Sequence, residues 1–132
     1  MALYVTDTHP LLWYVHRHSK LSKAALRIFS RAERGEALIY IPAMVLLECG
    51  ILVRIGRFRF KESFPLWMDS LIAQTGFELA PLESGIISDA VGLQTISDPF
   101  DSSVVATARH KGLPLITGDQ HIIDSRLVEI VW

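Results

Sequence analysis

Four acidic residues, Asp7, Glu48, Asp101 and Asp119, are of a type and placement suited to holding a hard cation. Two like charges ~6 Å apart at an effective dielectric of ~20 repel by roughly 2.8 kcal/mol. Four carboxylates sharing one crevice therefore cannot all stay ionised without a counter-charge. The five histidines and one cysteine show no zinc-ligand spacing, so the ligand set is all oxygen. Oxygen ligands favour Mg²⁺ or Mn²⁺, which keep several waters and bridge to phosphate. The chemistry this supports is attack of metal-activated water on a phosphodiester.

Glu48 is the most informative single acid. It interrupts the run Ala-Met-Val-Leu-Leu-Glu-Cys-Gly-Ile-Leu-Val, which reads as a helix apolar all round. Such a helix is expected to be largely buried, where an unpaired carboxylate is expensive. An ion pair with Arg54 or a lysine elsewhere, or a place on an exposed rim, is the alternative. Arg54 lies six positions on, about 240° round a helix, and faces elsewhere.

The elements that must position these acids can be read in outline. A β-prone run at 3–6 stops at Asp7, and Thr8-His9-Pro10 starts a helix with proline in its first turn. Ser22 caps a second helix that carries Ala24, Ala25, Ile28 and Phe29 inward and ends near Gly35. A strand at 37–41 leads through Pro42 into a helix reaching about Gly56. Further expectations are a helix after Ser63 with Gly76 past its end, a strand at 77–82 and a helix from Ser84 to about Leu93. A helix at 101–111 closed by Gly112, a buried strand at 113–117 and a last strand at 127–132 complete the chain. Strands alternating with helices predict an α/β fold, with a mostly parallel central sheet and helices on both faces. Asp7 and Asp119 then follow strand ends and Asp101 begins a helix, and all three face the crevice beyond the carboxyl edge of the sheet.

The chain has 132 residues, half of them hydrophobic, and neither repeats nor a linker, which predicts one domain over 1–132. The net charge of −1 gives no global attraction for nucleic acid, so any such surface must be local. Cys49 has no partner for an intrachain disulfide and fits a buried hydrophobe in a reducing compartment. The N-terminal residues lack a signal-peptide pattern, and no segment is apolar for long enough to span a bilayer. The expectation is a cytoplasmic protein with no membrane partner.

Several segments, taken in order, are similar to one family. Tyr-Val-Thr-Asp-Thr-His-Pro-Leu-Leu-Trp at the start, Lys-Leu-Ser at 20–22 and Ile-Pro-Ala-Met-Val-Leu-Leu-Glu up to Glu48 resemble PIN-domain proteins. So do Ser-Asp-Pro-Phe-Asp at 97–101, with Val-Val-Ala-Thr-Ala after it, and Leu-Pro-Leu-Ile-Thr-Gly-Asp at 113–119. The likeness is to the VapC-like toxin ribonucleases of toxin–antitoxin pairs in particular. It implies a metal-dependent endoribonuclease, single-stranded or structured RNA as substrate, an antitoxin protein as partner, a homodimer, and Mg²⁺ or Mn²⁺ held by Asp7, Glu48, Asp101 and Asp119. Asp98 competes for the third place, but an Asp-Pro pair favours turning or capping. Thr8 and Thr117 are candidates to bond the carboxylates or metal-held waters. Ser102 stands where close relatives often carry an arginine, which puts a phosphate contact from that side in doubt.

The densest basic stretch is Arg54, Arg57, Arg59 and Lys61, interleaved with Phe58 and Phe60. It reads either as a track for RNA phosphates or as a solvated loop whose phenylalanines pack inward. His9 and His121 lie close in sequence to Asp7 and Asp119, yet metal-assisted hydrolysis does not need a histidine base. Trp13, Trp67 and Leu71 read as core or dimer contacts. Two rival functions stand beside the nuclease. One is a catalytically silent PIN-like RNA- or protein-binding module. The other is a phosphotransfer domain, for which Asp7-Thr8-His9 lacks the expected acidic pair.

Overall fold

The computed structural model describes residues 1–132. Its centre is the first strand, β1 (Ala2–Thr6), whose inner residues Val5 and Thr6 are buried. Asp7 ends the strand and caps α1 (Thr8–Val15), its carboxylate accepting from the Thr8 N–H. Ser22 caps α2 (Lys23–Glu33) by accepting from the Ala25 N–H, and Ala25, Phe29 and Ala32 form its buried face. The chain continues through β2 (Ala37–Pro42), α3 (Ala43–Arg54), α4 (Phe64–Ile72), β3 (Phe77–Ala80), α5 (Ser84–Gly92) and α6 (Pro99–Lys111). It closes with β4 (Leu115–Ile116), α7 (Gln120–Ser125) and β5 (Ile130–Val131).

All five strands are parallel, in the order β3-β2-β1-β4-β5. The chain steps from β1 to β2 to β3 in one direction, then returns to place β4 on the other side of β1. The strand order therefore reverses between β1 and β4, where open α/β sheets form their crevice. Thr6 pairs with Ile116, and the Asp7 N–H donates to the Ile116 carbonyl at 3.0 Å, so the two strand ends lie side by side. Val5, Ile39, Ile41, Leu115 and Ile116 are wholly buried, as expected for parallel strands covered by helices.

Several expectations need correction. The last two strands are only two residues each, and the residues after Asp119 form α7. Helix α6 starts at Pro99 with Asp98 as its cap, so Asp101 sits within the first turn and does not precede it. The α3 helix is not buried all round: Val45, Leu46 and Cys49 are, while Leu47 is 53% exposed. Gly112 does close α6 in the left-handed conformation, with φ of 66°.

Candidate active site

Asp7 is the anchor of the site because both its oxygens are held. Oδ1 accepts from the Thr8 N–H and Oδ2 from the Thr117 hydroxyl, each at 2.8 Å. Thr117 ends the strand segment beside β1 and is fully buried. Its oxygen also accepts from the Asp119 N–H at 3.1 Å, which ties the two acid-bearing strand ends together. Burial drives the Asp7 carboxyl above its usual range, against the lowering pull of those two hydrogen bonds. The nearby Glu48 charge pushes the same way as burial.

Asp101 is half-buried in the first turn of α6, its N–H donating to Asp98 Oδ1 at 3.0 Å. Burial pushes its carboxyl up to about 7, and the charges of Asp7, Asp98, Asp119 and Glu48 add to that. This one residue therefore reports that the acids share a single field. Asp119 caps α7, accepting from the Ile122 N–H at 3.1 Å, and its side chain reaches the same space. Glu48 is half-buried on α3 and makes no ion pair. It is a rim residue turned toward the other acids rather than a charge sealed within an oily helix.

Asp7, Glu48, Asp98, Asp101 and Asp119 line one cavity of about 260 Å³ with His9, Pro10, Trp13, Thr117 and Gly118. No lysine or arginine lines it. No three acids converge tightly enough to form a ready cage for an ion. An open carboxylate wall without a protein cation suits a hydrated divalent ion, since Mg²⁺ retains waters and takes one or two carboxylates directly. The Thr8 hydroxyl is buried beside Asp7 with no hydrogen-bond partner, one more unspent polar group at this wall. It bonds none of the carboxylates, unlike Thr117.

The other candidates separate clearly. Asp98 both caps α6 and lines the cavity. Arg54, Arg57, Arg59 and Lys61 are exposed and none lines the acidic cavity. Their loop is pinned to α1 by a 2.8 Å bond between His16 Nε2 and the Arg59 carbonyl, and Phe60 stacks on Trp67 at 4.3 Å. His121 bonds the Thr95 carbonyl and lies outside the cavity, whereas His9 lines it. Ser102 is buried, its hydroxyl donating to the Pro99 carbonyl at 3.3 Å. The Cys49 thiol is wholly buried and its pKa is raised by burial, which suits packing rather than reaction.

Trp13 has a second place that the sequence reading did not give it. Grouped with Trp67 and Leu71 as a core or dimer contact, it lines a groove with both of them and also forms part of the acidic cavity wall. Its spacing from His9 held the signal: positions i and i+4 share a helix face, and His9 adjoins Asp7. Gly118 and Trp132 were also missed. A Cβ on Gly118 would stand 2.4 Å from Trp132 Cε2, so the last indole lies directly against a cavity-lining glycine.

Solved structures share this architecture. VapBC2 from Rickettsia felis, bound to a DNA fragment from its promoter, aligns with a TM-score of 0.71 at 14% identity, covering 98% of each chain. FitAcB from Neisseria gonorrhoeae gives 0.69 at 14%, covering 98% of this chain and 96% of its own. Mycobacterium tuberculosis VapC20, a sarcin-ricin loop cleaving toxin, gives 0.69 at 15%, with 96% and 97% covered. Comparison with curated proteins returns no match. The family model of the PIN domain matches residues 4–125, and with nearly the whole chain so matched this protein belongs to the PIN domain family.

Proposed function

We propose that this chain is a metal-dependent endoribonuclease, working as a single domain over 1–132, and the toxin subunit of a toxin–antitoxin pair. The observation that carries the reading is the convergence of Asp7, Glu48, Asp101 and Asp119 on one cation-free cavity at the β1–β4 switch point. Asp7, Glu48 and Asp101 hold Mg²⁺ or Mn²⁺, in part through waters the ion retains, and Asp119 completes the site. When bound, the ion offsets the charge of the phosphodiester and lowers the pKa of a water for attack on phosphorus. Thr117 fixes the Asp7 carboxylate in the orientation that faces the cavity. Asp101 must give up a proton near neutral pH for the full donor set to form. The products expected are a 5′-phosphate and a 3′-hydroxyl.

RNA is the proposed substrate, in keeping with the sarcin-ricin loop named for VapC20. An antitoxin is the proposed partner, since the Rickettsia felis neighbour is a VapBC pair. A groove of about 740 Å³, lined by Tyr14, Leu26, Trp67 and Leu71 among others, shares Trp13 with the acidic cavity. A partner segment seated there lies close enough to obstruct the site. A homodimer and a cytoplasmic setting complete the proposal; no helix is long and apolar enough to cross a membrane.

The second reading is a catalytically silent PIN-like binding module, favoured by the absence of a preformed three-acid cage. Incubation of mixed RNAs with Mn²⁺ separates the two. Cleavage by the natural chain and none by Asp7→Asn supports the nuclease. Full cleavage by a clean Asp7→Asn preparation would sink it, and Mn²⁺ binding without cleavage favours the silent module.

A further inference from the structure

Beside the acidic cavity runs a cluster of rings whose placement the metal site does not require. Trp13 is half-buried and lines the cavity. His9, exposed on the same helix face, stands 5.6 Å from it between ring centroids. Trp132 stands 6.0 Å from Trp13 on another side, with the planes 50° apart. Trp13 is the single aromatic neighbour of Trp132, which remains 38% exposed.

The position of Trp132 is set by Gly118. Its Cε2, Cζ2 and Nε1 atoms occupy the space that any side chain at 118 would need, at 2.4, 2.6 and 2.9 Å from an ideal Cβ. Gly118 lies between Thr117 and Asp119, and all three line the cavity. The indole is thus drawn in against the acidic wall. A phosphate held by an ion in that cavity has its own nucleoside within reach of these rings. No lysine or arginine lines the cavity, so apart from the ion the rings beside it are the surface that can add affinity for a nucleotide.

We propose that Trp132 and Trp13, with His9 at the edge, form a stacking platform for an unpaired nucleobase whose phosphate occupies the acidic cavity. The platform rests on the ribonuclease reading and gives Trp132 and Trp13 the role of holding the base beside the phosphate that is cut. A base within a duplex is already stacked on both faces and cannot take an indole as neighbour. Stacking is tolerant of base identity, so the platform selects for single-stranded character more than for sequence. Phe58, 6.3 Å from His9, extends the aromatic surface toward exposed Arg57 and Arg59, which suit the phosphate of a flanking nucleotide.

The test uses the natural chain with diamagnetic Mg²⁺ and two uncleavable probes, adenosine 5′-monophosphate and ribose 5-phosphate. Binding is followed by the indole N–H resonances of the three tryptophans. The nucleotide is expected to bind roughly 5- to 150-fold more tightly than the sugar phosphate, the range of one base–aromatic stack. The Trp132 and Trp13 signals should move and that of buried Trp67 should not. Trp132→Ala should erase the preference and Trp132→Phe should keep most of it. Equal affinity for the two probes in the natural chain overturns the platform without any variant, while Mg²⁺-dependent binding of ribose 5-phosphate leaves the phosphate site standing. An unchanged preference in Trp132→Ala overturns it as well. Failure of both probes to bind with Mg²⁺, together with no RNA cleavage with Mg²⁺ or Mn²⁺, removes the ribonuclease reading and the platform with it.

Discussion

Thr117 donates a 2.8 Å hydrogen bond to Asp7 Oδ2 across 110 residues of sequence, joining the ends of two neighbouring parallel strands at the acidic cavity. The same oxygen accepts from the Asp119 N–H. One hydroxyl therefore orients one acid and fixes the backbone of another. Thr117→Val keeps the shape and removes both bonds. Mn²⁺ affinity measured by calorimetry is expected to fall about 10- to 100-fold, the usual effect of losing a group that orients a metal ligand. Thr117→Ser should retain most of the affinity, and equal loss in both variants would refute the role of the hydroxyl.

The ion-free protein should grow less stable as pH rises through the acid range. Asp101 is raised from 3.8 to about 7 and Asp7 is also raised, so the folded chain keeps protons that the unfolded chain has released. Stability then falls with rising pH wherever the folded state binds more protons. For Asp101 the fall spans 3.8 to about 7 and levels off above it. Thermal unfolding in a chelating buffer across this window is the measurement. Saturating Mn²⁺ should flatten or reverse the slope, and Mn²⁺ affinity should itself rise with pH through the same window, because the ion displaces those protons.

Asp101→Asn separates function from stability. Cleavage of RNA should be lost, since a proposed ligand to the ion is removed. The ion-free variant should nonetheless unfold at a higher temperature than the natural chain above pH 7, where Asp101 is ionised among four other acids. Its backbone N–H still bonds Asp98, so the start of α6 stays intact. A lower unfolding temperature at that pH would contradict the like-charge account.

The sequence revealed the acids more readily than the surroundings that make them a site. Asp7 and Asp119 were legible because each ends a β-prone run, and a parallel sheet gathers strand ends at one edge. Asp98 was legible as a cap from the Asp-Pro step. Glu48 was found for a partly mistaken reason: α3 is apolar in composition, yet Leu47 and Ile55 on it or just beyond are more than half exposed. Composition does not say which apolar faces find partners. The short α7 was hidden because Asp119 serves two purposes, and its metal-ligand reading masked its capping of Ile122. Trp132 was read only as the end of the last strand, with nothing to say what it touches. Its neighbour Gly118 lies 14 residues away, and only the pairing of β4 with β5 brings the two together.

Gly118→Ala tests that contact directly. The added methyl would meet the Trp132 ring at 2.4 Å, closer than carbon atoms approach, so the indole must swing away. Because the ring is partly exposed it has somewhere to go, and a cost of ~1–3 kcal/mol is expected, as for other overpacked sites. Gly76→Ala provides the contrast. Its methyl would stand 1.8 Å from the Ala32 carbonyl oxygen, and backbone of α2 cannot rotate aside, so the loss should be larger. Trp132→Ala removes the obstacle, and the Gly118→Ala/Trp132→Ala pair should be less destabilised than the sum of its single changes. Denaturant unfolding of the four variants gives the coupling, and strict additivity at 118 and 132 would show that the indole does not rest on the cavity wall.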